Sequence, residues 1–174
     1  MKNKTKWILT VFVLSFILSV IFSGISTAMA ESFNTIILAI IILVVIGIGI
    51  IFDMIGVAVL TCKESNLHAK AAKKMKGAKQ AIALIKNSTK VSSVCNDVIG
   101  DICGIVSGSL GAALTLDIIG IIDVSSVIIT MVVTATISAL TVGFKAVFKD
   151  VAEKNSDAIV YTSGKILSIF KKEN

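Results

Sequence analysis

Four stretches of the chain run long and apolar, at residues 7–29, 33–60, 96–119 and 121–148, and are built from Ile, Val, Leu, Phe, Ala, Gly and small hydroxyl residues. Each exceeds the roughly 18 apolar residues that separate a membrane span from a buried core helix. As helices rising about 1.5 Å per residue they cross about 30 Å of hydrocarbon. They are too continuously apolar for the alternating strands of a barrel, so the pattern predicts an all-α integral membrane protein with four transmembrane helices. Polar residues return between the second and third stretches. There "TCKESNLHAKAAKKMKGAKQAIALIKNSTKV" reads as two short helices, with Ser65 or Asn66 capping the first, Gly77 ending it, and Ala81, Leu84 and Ile85 giving the second an apolar stripe. After the fourth stretch, "KAVFKDVAEKNSDAIVYTSGKILSIFKKEN" predicts a juxtamembrane amphipathic helix with Val151, Ile159, Ile166 and Phe170 near one side and a break at Gly164. The chain thus divides into an N-terminal segment 1–30, a transmembrane domain 31–150 and a cytoplasmic helix 151–174.

Composition agrees with this pattern: 55% of the residues are hydrophobic, proline is absent, and mean hydropathy is +0.95. Charge adds an orientation. All 17 basic residues are lysines, and they fall before the first span, between Lys63 and Lys90, and from Lys145 to Lys172. The two other connections carry Glu31, Asp117 and Asp123 and no lysine. The positive-inside rule then places both termini and the basic loop in the cytoplasm, in a plasma-membrane protein. A net charge of +6 follows from that bias, and anionic lipid beside the loop accounts for it without nucleic acid.

The first 30 residues carry a basic start, a long apolar stretch and the small-x-small pattern Ala28-Met29-Ala30. The apolar stretch is longer than a secretory h-region, which favours a retained anchor; a cleaved signal peptide is the alternative. Cys62, Cys95 and Cys103 read as reduced and structural, and His68 as a polar residue of the basic loop without a zinc site.

On a regular helix Asp97, Asp101, Gly104, Gly108 and Gly111 fall on one stripe, and Gly100 starts a Gly-x-x-x-Gly-x-x-x-Gly series. Gly100, Gly104, Gly108 and Gly111 therefore predict close helix packing, with the carboxylates turned into the bundle. Asp53 lies near the inner end of the second span, and no lysine stands in that span or in the buried part of the third to neutralise it. An ionised Asp at the bilayer centre costs roughly 2.5–3.5 kcal/mol on insertion scales, so protonation, water or a bound cation is expected to compensate. Asp53, Asp101, Asp97 and Asn96 offer hard oxygen ligands suited to Mg²⁺ or Ca²⁺. Asp97 also reads as a helix N-cap at the interface.

"FDMIGVA" (52–58), "GAKQAIALIKNSTKV" (77–91) and "VIGDICGIVSGSLGAAL" (98–114) stand in the order and approximate spacing of the motifs of the CNNM/CorB-type transmembrane domain of Mg²⁺ and Co²⁺ transporters. The chain resembles that domain over about residues 33–150. The resemblance implies a homodimer with polar positions lining a Mg²⁺ site: the family's motif serine falls on Asp53 and its Gly-Asn pair on Gly100-Asp101. Serine and asparagine have become aspartates, and the cytoplasmic CBS domains have no counterpart. Two functions follow as expectations. One is a small divalent-cation transporter handling Mg²⁺ as bound or transported ion. The other is a non-enzymatic accessory or regulatory subunit whose Gly-rich spans bind another membrane protein. An enzyme is not expected: Phe52-Asp53 and Gly100-Asp101 resemble the aspartate pair of intramembrane aspartyl proteases, but the first glycine of that Gly-x-Gly-Asp pattern is replaced by Val98 and its proline motif is impossible here.

Overall fold

The computed structural model describes residues 2–119 and 125–170. Asp123, the first residues of the expected fourth span and Lys171 and Lys172 lie outside the described residues. All regular structure among the described residues is helical: α1 (Lys2–Ser32), α2 (Thr35–Thr61), α3 (Glu64–Ala72), α4 (Ala78–Lys86), α5 (Ser88–Ser92), a π-helical segment (Ser93–Gly100), α6 (Asp101–Ile119), α7 (Ser126–Lys154) and α8 (Ser156–Phe170). Four stretches are long and apolar enough to cross a membrane, Lys6–Ser32, Thr35–Thr61, Ser88–Ile119 and Ser126–Lys154, as the hydrophobic pattern predicts. The chain is a multi-pass membrane protein. Its contacts divide it into two compact units that cut across the spans, Met1–Ile50 with Val98–Phe144, and Ile51–Asp97 with Lys145–Asn174.

In the first unit α1 packs against α6. The upper part of α2 buries a stripe at every fourth residue, Leu38, Ile42, Ile46 and Ile50, while Ile36, Ile40 and Val44 remain exposed for lipid. On α6 the buried line is Ile102, Val106 and Leu110, flanked by Ser107 and Thr115. Helix ends are tied by polar contacts: Asn34 Oδ1 accepts the Ile37 N–H at 3.0 Å as an N-cap, and Thr35 Oγ1 donates to Asp117 Oδ2 at 3.0 Å. Asp117 therefore belongs to the last turn of α6 rather than to a free connection.

The second unit is built around a core of Ala58, Val59 and Cys62 on α2, Leu67 on α3, Ala81 on α4 and Val160 on α8. Leu84 and Ile85 pack against it, so the predicted stripe of the second short helix holds. Three local expectations change. The first short helix begins at Glu64 with Lys63 as N-cap and no side-chain cap; Asn66 donates instead to Asp157 Oδ2 on α8. Gly77 starts α4 rather than ending α3, in the left-handed region at φ 86°. And α8 is continuous through Gly164: the glycine is needed for close approach, since a Cβ there would stand 2.6 Å from the Ala81 nitrogen.

The buried face of α8 is only in part the predicted one. Ser156, Val160, Gly164 and Ser168 are buried at four-residue steps and Ile159 packs half-buried against the core as expected, whereas Ile166 is exposed, and Val151 stands exposed on α7. Gly164 holds the point of closest approach to α4, where no side chain fits, and Val160 fills the core beside it. Around the core, the Cys62 thiol donates to Asp157 Oδ1 at 3.1 Å, Tyr161 donates its hydroxyl to the Lys76 carbonyl at 3.2 Å, and the Lys70 ammonium sits 4.4 Å from the Tyr161 ring centroid. Lys63, Lys73, Lys74, Lys76, Lys79, Lys86 and Lys90 are exposed, and His68 pairs with Glu64 at 3.1 Å one helical turn away.

Candidate functional site

Within the second unit the last turns of α2 carry Asp53, half-buried in an apolar span, and its charge is met from a place that composition alone does not reveal. Lys145 on α7 brings its Nζ to 3.8 Å from Asp53 Oδ1, with the two side chains 28% and 17% exposed. The compensation expected from protonation, water or a cation is thus supplied by the chain. Lys145 lies inside the fourth span, on a helix other than the second and third.

One turn along the same face of α2 from Asp53 stands Gly56. Asn96 enters there from the π-helical segment: a Cβ on Gly56 would lie 1.7 Å from Asn96 Oδ1, so only glycine leaves room for the amide. That oxygen is buried and has no hydrogen-bond partner among the described residues, while Nδ2 reaches only Ser92 Oγ at 3.5 Å. A buried carbonyl oxygen without a donor is an acceptor left open for water or a cation. The π-helical segment Ser93–Gly100 gives Asn96 this placement, and π-turns inside α-helices occur frequently at functional sites.

The same segment undoes the predicted stripe. Its i→i+5 bonding breaks the regular spacing that aligned Asp97 with the glycines, and branched Ile102, Val106 and Leu110 take the packed face. Asp97 and Asp101 are exposed rather than turned into the bundle. Asp97 precedes α6 by several residues within the π-helical segment, so it is not the N-cap of that helix. Of the predicted packing glycines, Gly104 and Gly108 have open space where a Cβ would stand, Gly100 is buried, and Gly111 meets Ile137 of α7 at 2.3 Å from that position.

Of the four expected ligands, Asp53 stands on α2 one turn from Gly56, against which the Asn96 amide oxygen is packed, and Asp97 and Asp101 stand on exposed surface. Among the described residues no three His, Cys, Asp or Glu side chains gather in the manner of a resident metal centre. The donors that remain, one carboxylate and one amide, are hard oxygens of the kind that ligate Mg²⁺ or Ca²⁺. Comparison with protein-family models, with curated proteins and with solved structures found no match.

Proposed function

We propose that the protein is a small membrane transporter, or the minimal core of one, for hard divalent cations such as Mg²⁺, with Asp53 as the cation-binding carboxylate and the Asn96 amide oxygen as its neighbour. The observation that carries this reading is the orphaned, buried amide oxygen of Asn96, packed against Gly56 one helical turn from Asp53, among apolar spans where polar groups are costly and mark ion pathways. The resemblance to the CNNM/CorB-type transmembrane domain supports the same reading, with the basic α3–α4 loop and both termini in the cytoplasm and the plasma membrane as its site. Thermal melting of the purified protein across millimolar Mg²⁺ tests it: stabilisation in the wild type that is lost in Asp53→Asn is the expected result, and unchanged melting refutes it.

A second reading, an accessory or regulatory subunit bound to another membrane protein, draws on a different observation. Asp101, Ile105, Gly108 and Ala112 form an exposed line on α6, and the Asp101 carboxylate has no partner among the described residues. A stoichiometric foreign protein retained through purification favours that reading; a clean homodimer favours the first.

A further inference from the structure

We propose that Lys145 is a tethered counter-ion: its ammonium holds the place at Asp53 that a transported cation takes, and the cation binds only by displacing it. This rests on the reading of Asp53 as the cation-binding carboxylate. The first argument is the distance. At 3.8 Å the pair is in Coulombic contact but well outside the 2.7–2.9 Å or so of a charge-assisted hydrogen bond, so the two groups attract without interlocking. Both side chains also keep some exposure, which leaves a path to the carboxylate.

The second argument is the choice of residue. Lysine presents a compact point charge on a flexible four-carbon stem, whereas arginine would grip a carboxylate with a rigid fork of donors. Released from Asp53, the ammonium can swing along α7 towards Lys149, Asp150, Glu153 and Lys154, where the helix becomes polar and the interface begins. The third is charge balance. Without a cation, an ionised Asp53 alone would leave an uncompensated charge within a span; the pair sums to zero, so the unloaded state is tolerated in lipid. A divalent cation arriving beside a fixed ammonium would be repelled, so loading and lysine release must be coupled.

The test is Mg²⁺ binding to the full-length protein in nanodiscs by titration calorimetry, for wild type, Lys145→Gln, Lys145→Arg and Asp53→Asn, with amine labelling of Lys145 in the wild type followed by mass spectrometry with and without MgCl₂. Removing the competing charge should tighten Mg²⁺ binding on the order of tenfold or more in Lys145→Gln. Lys145→Arg should weaken it, Asp53→Asn should abolish it, and Mg²⁺ should increase Lys145 labelling. If Lys145→Gln does not fold, Lys145→Arg and the labelling decide alone. Equal affinity in wild type and the Lys145 variants, with labelling unmoved by Mg²⁺, overturns the counter-ion but leaves Asp53 as a binding residue. No Mg²⁺ binding in any form overturns both.

Discussion

Gly164 of α8 and Gly77 at the start of α4 touch backbone to backbone: a Cβ on Gly164 would lie 2.7 Å from the Gly77 carbonyl oxygen, and one on Gly77 would lie 2.5 Å from the Lys165 Cα. Neither obstacle is a flexible side-chain end, so neither can step aside cheaply. Gly164→Ala is expected to destabilise the second unit by about 1–3 kcal/mol through overpacking. Gly77→Ala adds to its own clash a left-handed backbone, costing roughly 1–2 kcal/mol more. Denaturant titration in detergent, followed by the fluorescence of a probe on α8, measures both.

The Asp53–Lys145 pair predicts a non-additive pattern of stability. Lys145→Met leaves a carboxylate unpaired within a span, and Asp53→Asn leaves an ammonium unpaired, so each single change should destabilise. The double variant should recover much of the loss, giving a coupling energy of about 1–3 kcal/mol in a double-mutant cycle. Additive losses would mean that the two charges do not act on each other.

Gly56→Ala should disturb binding without touching any charge. The new methyl group occupies the position of Asn96 Oδ1, and the amide must leave its place against α2, one turn from Asp53. Mg²⁺ affinity is expected to fall in Gly56→Ala and to change similarly in Asn96→Ala, where the oxygen itself is removed; calorimetry on both variants checks the pairing.

Outside the membrane spans, Cys62 and Asp157 make stability depend on pH at both ends of the scale. Burial, together with the hydrogen bond to Asp157 and its charge, pushes the Cys62 thiol from 9.0 up to about 12. Between those values the unfolded chain loses this proton while the folded chain keeps it, so stability falls as pH rises through that window. The hydrogen bond from Cys62, aided by Asn66, holds the Asp157 carboxyl below its ordinary 3.8. Its contribution is present above that ordinary value and is lost as pH falls through the lowered one. At pH 8, Cys62 should alkylate slowly, and Asp157→Ala should speed the reaction by freeing the thiol; peptide mass spectrometry after iodoacetamide treatment reads the difference.

Much of the architecture was legible in the pattern of apolar residues, because span length and a stripe such as Ala81, Leu84 and Ile85 are local properties of the chain. The buried face of α6 was not, and that of α8 only in part. On α6, Ile102-Val106-Leu110 and Asp101-Gly104-Gly108 repeat at compatible helical steps, and only the approach of neighbouring helices decides between them. An eight-residue π-helical segment leaves no composition signature, so the regular projection through Asp97 and Asp101 failed where the bonding changed. Asp53 and Asn96 were identified as polar positions from sequence. Their arrangement was not, since Lys145 is 92 residues away along the chain and Gly56 matters only through the space it leaves. A lysine inside the fourth apolar run was the available clue: an intramembrane cation asks for a carboxylate somewhere in the same bundle.

Mg²⁺ flux into proteoliposomes holding the purified protein and a trapped fluorescent indicator, compared between wild type and Asp53→Asn at matched folding, decides whether Asp53 carries a cation. Flux in the wild type that collapses in Asp53→Asn is expected; a wild type that passes no Mg²⁺, or an Asp53→Asn variant that passes as much, rules the transporter reading out.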